Sequence, residues 1–473
     1  MEDDWDVVIV GAGGAGLAAA ISAADAGRRV VVFESEPEIG GSTNLSAGMF
    51  TAAGTSVQQA LGVDDDPEKH FQHYMDLNQW RLRPGLIRGF CHRSRDTFEW
   101  LLGLGLEVPA QRSTNAHMPG LTRAGVEDVW RGHVPAGEGY GLVQVLDRAR
   151  RARGVEVVLR TRVERLLLDG DRVAGVVADG VEVRAGAVVV ASGGLTRDPR
   201  LVERYYPDAM AAGDALFVVS APGSRGDHIR FGEQVDAALA GEGWGMLLVT
   251  AYFQRLHHWQ SGFPPVSRIL VDAQGHRFMD EDASYAVAAG IVSDHGGSAW
   301  MVFDERARLG LPPGYPHWSP GNVAAEADAG RTHRAASLDE LAGAMGVDPG
   351  VLAATVERWN AHLPQGEDPD FFRHESLRAK GVPAPDPVDR PPFYAVRALP
   401  AELAVSHTGL LSDEEGRVLG QEHRPVPGLF AAGEASGGIL GNRYVGGGTA
   451  VANAVVGGRF AGAAAATART SSH

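Results

Sequence analysis

The 473-residue chain contains a single cysteine, Cys91. One thiol excludes an internal disulfide framework and any iron–sulfur or zinc site built on several cysteines. Cys91 lies in the helical-looking stretch Phe90-Cys-His-Arg-Ser-Arg and reads as an ordinary buried thiol. Positive charge is also scarce: 43 Lys and Arg face 59 Asp and Glu, for a formal net charge of −16. Nucleic-acid binding needs a basic face, so this balance argues against that class of partner. No window of about 18 residues is apolar and uncharged enough to span a bilayer. The nearest, Thr449 to Ala466, contains Asn453 and Arg459 and reads as a buried helix. The opening Glu2, Asp3 and Asp4 lack the basic region and apolar segment of a signal peptide, so the expected compartment is the cytoplasm, with no membrane partner. Histidines show no third ligand at metal spacing, and no metal is expected.

What the chain does have is glycine at particular places. Asp6-Val-Val-Ile-Val10 reads as a strand buried on both faces, followed by Gly11-Ala-Gly-Gly-Ala-Gly16, a helix over Leu17 to Ala26, and a second buried strand, Arg29 to Phe33, ending on Glu34. This is a βαβ unit with a Gly-x-Gly-x-x-Gly turn. Its first glycine permits the tight turn, its second lets the backbone approach a pyrophosphate, and its third lets helix and strand pack closely. The helix N-terminus offers N–H groups and partial positive charge to the phosphates, and Glu34 stands where a carboxylate accepts from ribose hydroxyls. Outside the unit, Gly40-Gly-Ser-Thr43 follows the second strand, and Gly433-Glu434 and Gly446-Gly-Gly-Thr449 supply a second strand end and helix start. A helix N-terminus under a flavin pyrimidine ring stabilises the charge that reduction places there, so FAD, bound non-covalently, is preferred over NAD.

The length allows two or three domains. Residues 60 to 150 are mostly helical in pattern. From Val155 the chain alternates through Val155 to Leu159, Arg162 to Leu168, Arg172 to Val177 and Val181 to Arg184, which predicts a small antiparallel meander. Ala187 to Ala191 is another buried strand, closed by Ser192-Gly-Gly194. Gly223 to Leu239 reads as a helix. Two further helices carry start signals: Ser337 with Glu340 as a capping box, and Asp348-Pro349 ahead of Val351 to His362. The pattern predicts an α/β fold: a discontinuous Rossmann-like FAD-binding domain, residues 1–241 and 401–473, with an inserted α+β capping domain over 242–400.

At this point the chain resembles a known group. The glycine turn with Gly-Gly-Ser-Thr, the segment Ile269-Leu-Val-Asp-Ala-Gln-Gly-His-Arg-Phe-Met-Asp-Glu281, Leu352 to Asn360 with Gly366-Glu-Asp-Pro-Asp-Phe371, and Gly428-Leu-Phe-Ala-Ala-Gly-Glu434 are together similar to the fumarate reductase and 3-ketosteroid dehydrogenase flavoproteins, along essentially the whole chain. The resemblance implies chemistry on a C–C bond beside a carbonyl or carboxylate. It implies FAD contacts at Gly11, Gly13, Ala15 and Gly16, at Glu34 and Ser35, and at Gly41, Ser42, Thr43, Ser46 and Gly48. Further along, it implies them at Val163, at Ser192 and Gly193, at Gly433 and Glu434, and at Gly448, Thr449, Ala450 and Val451.

Four positions inherit possible catalytic roles. Four residues beyond Glu281, where fumarate reductases place an arginine proton donor, this chain has Tyr285, as ketosteroid dehydrogenases do. A tyrosine removes a proton beside a ketone if nearby cations lower its pKa from about 10. His407 falls near the substrate histidine of fumarate reductases, and Arg443 falls at their carboxylate-binding arginine. Tyr444 stands beside it, where ketosteroid dehydrogenases use a tyrosine. His257, His258, Tyr252, Phe253, Trp259 and Phe263 are weaker candidates for lining a pocket, with core packing as the rival reading. The expected function is an FAD-dependent dehydrogenase turning a ketone into an enone on a cyclic or hydrophobic small molecule, with an unidentified electron acceptor. The alternatives are a fumarate-reductase-like ene-reductase fed by an electron donor, a flavoprotein electron-transfer subunit, and a protein using FAD structurally.

Overall fold

A computed structural model of the chain describes residues 5–113, 117–123, 127–257, 265–313, 315–380 and 382–468. His258, Trp259 and Phe263 therefore lie outside the described residues. The chain divides into two compact units, one of Met1–Asp208, Ser220–Met246 and Ala404–His473, the other of Ala209–Val219 and Leu247–Leu403.

The first unit is α/β and is built on the expected βαβ start. β1 (Trp5–Val10) leads into α1 (Gly14–Asp25) and then β2 (Val30–Phe33). β1 lies between β2 and the strand Val181–Val190, parallel to both, with Val8 opposite Val31 and Val188. The strand Pro425–Ala431 extends the sheet in parallel on the far side of Val181–Val190. Alternate residues of these strands enter two different cores: Val7, Ile9, Val32 and Val189 in one, Val8, Val10, Val31 and Val188 in the other. A central parallel sheet covered on both faces needs apolar residues at every position, which is why the strands read as unbroken valine runs.

Two expectations change. The segment after Val155 was expected to open the antiparallel meander, but Glu156–Val158 pairs in parallel with β2, Val157 opposite Val32. The meander begins only at Val163–Asp169, continues through Arg172–Ala178, and ends in the first half of Val181–Val190, whose second half joins the parallel sheet. The helix expected over Gly223 to Leu239 covers Asp227–Gln234 alone. The last helix, Thr449–Ala465, packs across α1 with almost no side chain between them. A Cβ on Gly458 or Gly462 would stand 2.1 or 2.2 Å from the carbonyl oxygens of Ala15 and Ala19.

The second unit is α+β. Its central strand, Phe393–Ser406, pairs antiparallel with Ala299–Asp304, which in turn pairs with Ile269–Val271. The helices Leu338–Met345 and Pro349–His362 pack on this sheet through Leu341, Leu352 and Trp359. Both helix starts carry the expected caps: Ser337 Oγ accepts from Glu340 N at 3.2 Å and Asp348 Oδ1 from Val351 N at 3.1 Å. The Glu340 carboxylate bonds Ala336 N rather than Ser337 N, one residue short of a reciprocal box.

One arginine ties the segment 277–281 to the distant stretch 359–371. Arg277 grips both oxygens of Glu281 at 2.7 Å and reaches both oxygens of Asp368 at 2.8 and 3.0 Å. Its guanidinium also lies over the rings of Trp359 and Phe371. Beside it Arg373 pairs with Asp282 at 2.7 Å, and Arg268 with the other Asp282 oxygen at 3.3 Å. Three buried cations meet three buried anions, so the network is neutral as a whole. Removing one member strands the others. Replacing Arg277 by Met is expected to cost about 3–5 kcal/mol, read as a lower denaturant midpoint; an unchanged midpoint would show that the network contributes nothing net.

Candidate functional site

The chain leaves β1 through Gly11 at φ +101, a conformation open to glycine. A Cβ on Gly16 would sit 1.8 Å from the Gly11 carbonyl oxygen, so the first turn of α1 lies directly against the glycine turn. Gly13 is different: a Cβ there would find its nearest neighbour, Gly40 O, at 3.8 Å. The turn is thus packed hard on its inner side and open toward the Gly40 loop, which meets it through a Gly13–Gly40 bridge and an Ala12 O to Gly40 N bond of 2.9 Å. Thr43 Oγ1 accepts from Gly14 N at 3.2 Å, Ser42 Oγ from Ala221 N at 3.0 Å, and Ser46 Oγ from Gly48 N at 3.0 Å.

Three observations fit a dinucleotide held here. Gly13 and Gly448 start α1 and the last helix with no side-chain cap, leaving their N-terminal turns to other acceptors. Ser192 Oγ, at the end of Val181–Val190, is buried and has no hydrogen-bond partner among the described residues. Glu434 is half-buried and packs against Gly194, and its Oε1 accepts from Ser406 N at 2.8 Å and Ser406 Oγ at 2.9 Å. Burial pushes the Glu434 carboxyl up to about 7. Gly433 packs against Ala15, Gly193 against Ser224, and Val163 opens the meander close behind Thr161, whose N–H bonds Glu34 O. Glu34 also works within the turn, its Oε2 accepting from Ala12 N at 2.6 Å and its Oε1 from Glu36 N at 2.9 Å. No feature of the sequence pointed to Ser406, Ser224 or Gly139, whose Cβ would fall 2.0 Å from Thr43 O.

His407, Arg443 and Tyr444 all belong to the first unit, and Tyr285 belongs to the second. His407 is buried, with Nδ1 2.6 Å from the carbonyl oxygen of Gly441, an acceptor only, so Nδ1 carries the proton. Burial pushes the imidazole down to about 4, so at neutral pH Nε2 carries a lone pair; it has no partner among the described residues. Tyr444 is buried beside it, and its hydroxyl oxygen accepts from Ala450 N at 2.9 Å, in the first turn of the last helix. Val451 lies in that same turn, and Thr449 Oγ1 donates to Gly446 O at 2.9 Å. The Arg443 side chain is exposed. Tyr285 is the first residue of the helix Tyr285–Asp294, capped by Ser284 Oγ on Ala286 N at 3.2 Å. In the second unit, Tyr252 hydrogen-bonds Glu326 at 2.6 Å, Phe253 packs edge-on to buried Trp318, and His257 pairs with buried Glu402.

The chain matches the FAD binding domain family over residues 6–451. It is 32% identical over 476 residues to the fumarate reductase (cytochrome) of Shewanella frigidimarina, covering 98% of this chain and 77% of that protein. It is 33% identical to the NADH:fumarate oxidoreductase of Klebsiella pneumoniae strain 342, where it covers 98% of its own length but spans 48% of the longer protein. Among solved structures, the 3-ketosteroid Δ4-(5α)-dehydrogenase of Rhodococcus jostii RHA1 superposes with a TM-score of 0.78 at 26% identity, over 98% of this chain and 97% of that one. Among the described residues no helix is long and apolar enough to cross a membrane. The chain belongs to the FAD-dependent fumarate reductase and 3-ketosteroid dehydrogenase family of flavoprotein oxidoreductases.

Proposed function

We propose that the protein dehydrogenates a C–C bond next to a ketone, with Tyr285 as base and Arg443 and Tyr444 as partners of the carbonyl oxygen. The observation that carries this reading is the place of Tyr285. A helix N-terminus carries partial positive charge, which favours an anion and disfavours a cation. The first position of Tyr285–Asp294 therefore suits a phenolate accepting a proton, and suits poorly the arginine that fumarate reductases use. As the α-proton leaves, charge grows on the carbonyl oxygen, where a guanidinium and a phenol can donate to it. Bound FAD supplies the two-electron acceptor. The glycine turn, Glu434 and the N-terminal turn of the last helix are the residues assigned to hold it.

The state of His407 weighs against a carboxylate substrate at neutral pH. A neutral imidazole with Nδ1–H committed to Gly441 offers Nε2 as an acceptor, which suits no bare ketone oxygen and repels a carboxylate. His407 grips a carboxylate only after taking up a second proton. The second reading is the reverse chemistry, reduction of an activated C=C bond in an unsaturated acid. It is favoured by the identity to fumarate reductases and by the presence of both His407 and Arg443. The electron acceptor or donor is in either case a separate molecule or domain.

The two readings separate anaerobically. Cyclic ketones are expected to bleach the oxidised flavin, and Tyr285→Phe is expected to keep FAD while losing at least about a hundredfold in the rate of bleaching. Reoxidation of the reduced flavin by unsaturated acids, with no bleaching by any ketone, would overturn the first reading in favour of the second. The pH dependence of carboxylate binding gives an independent check. If His407 holds the carboxylate, its uptake of a proton makes the dissociation constant fall as pH drops from 7 to 5, by up to about tenfold per unit. Glu434, already neutral below about 7, adds to the slope only above that pH. The part of the slope abolished by His407→Gln, whose amide donates without a proton, belongs to His407. A slope untouched by that substitution removes His407 from carboxylate binding.

A further inference from the structure

We propose that Asn78 is the positioning residue for Arg443, an inference that rests on the assignment of Arg443 to the substrate oxygen. Asn78 is fully buried at the C-terminal cap of the helix Pro67–Leu77. Its Oδ1 accepts from Arg443 N at 3.1 Å, while its Nδ2 donates to Arg443 O at 3.3 Å and to Tyr74 O at 3.1 Å. The opposite amide orientation would set NH₂ against N–H and oxygen against two carbonyls, so the network fixes which way it points. The bond to Tyr74 O is a helix cap. The two bonds to Arg443 do nothing for that helix; one carboxamide takes both backbone groups of a residue 365 positions away.

Holding the N–H and C=O of one residue fixes its peptide planes and hence the direction of its Cα–Cβ bond. This matters for Arg443 because its side chain is exposed, so its direction starts from the backbone. An arginine carries about 2 kcal/mol of rotamer entropy, and a fixed root reduces what must be lost on gripping a ligand. The neighbouring backbone is tied at alternate residues: Tyr74 Oη donates to Ile439 O at 2.6 Å and His407 Nδ1 to Gly441 O at 2.6 Å. Gly441 stands at φ +72, and a Cβ there would fall 2.2 Å from Asn78 Oδ1, so the segment and the amide are in direct contact. Directly after Asn78 the chain turns through two left-handed non-glycine residues, Gln79 at φ +53 and Trp80 at φ +55. Such conformations persist where the surroundings over-determine them.

The test is a double-mutant cycle on the FAD-loaded protein. Malonate at pH 5, where His407 can take up the second proton that lets it accept a carboxylate, serves as probe, with binding read from the perturbed flavin spectrum and with FAD content and melting temperature measured alongside. Arg443→Ala is expected to weaken malonate at least about tenfold, and Asn78→Ala by roughly tenfold to a hundredfold. The pair together should be no weaker than Arg443→Ala alone, because Asn78 acts through Arg443. A merely structural Asn78 would cost as much with Arg443 absent as with it present. That additivity, or an unchanged dissociation constant in Asn78→Ala, overturns the positioning role and leaves Arg443 as assigned. If wild-type protein ignores malonate, or Arg443→Ala binds it normally, the assignment of Arg443 falls and the inference falls with it. Should Asn78→Ala lose FAD or fail to fold, Gly441→Ala presses on the same amide from the other side, and the same non-additivity with Arg443→Ala is expected and would overturn the role if absent.

Discussion

Around α1 the backbone meets backbone with almost no side chain between. Gly16 brings the helix onto the Gly11 carbonyl, and Gly458 and Gly462 bring the last helix onto the carbonyls of Ala15 and Ala19. Each contact leaves room for no more than a hydrogen, and together they hold two helix N-termini in one unit of the fold. At both termini the capping position is a glycine, Gly13 or Gly448, which brings no side chain of its own to the first turn. The cofactor site follows from this geometry: partial positive charge at two places, a buried unpartnered serine hydroxyl, and a carboxyl, Glu434, whose charge burial disfavours. Tyr444, proposed for the carbonyl side, is tied to the same geometry, because it accepts a hydrogen bond from the first turn of the last helix.

The second unit solves a different problem. Tyr285, the proposed base, stands at the head of a helix, and the chain just ahead of that helix is pinned by Arg277, Arg268 and Arg373 through Glu281 and Asp282. The segments that carry the family resemblance, 269–281, 352–360 and 366–371, converge on the Arg277 guanidinium through two carboxylates and two rings. Their residues are spaced far apart in sequence because the network is a tertiary object. Its value lies in the fixed entry to the helix rather than in net stabilisation, since a buried, balanced set of charges gains little over an apolar one.

What could be read from the sequence was local. β1, α1, β2 and the glycine turn lie within forty residues, and their periodicity and punctuation are decided by neighbours. The caps at Ser337 and Asp348 were legible for the same reason. Glu156–Val158 was misread because its alternation matches a meander, whereas its partner is a parallel strand more than a hundred residues earlier. Asn78 was invisible, since a lone asparagine at a helix end signals only a cap and its two decisive bonds cross 365 positions. The residue type of His407 suggested a clamp, but which nitrogen carries the proton depends on the Gly441 carbonyl. Tyr444 likewise shows its capping role only once the last helix is in place.

The central claim is that backbone contact at the glycine turn makes the FAD site. Gly16→Ala places one methyl group in that contact, and the ratio of FAD to polypeptide in the purified, folded protein reads the consequence. The account predicts a ratio far below that of the unsubstituted protein, with the helical content retained. Full FAD occupancy with an unchanged flavin spectrum would contradict it.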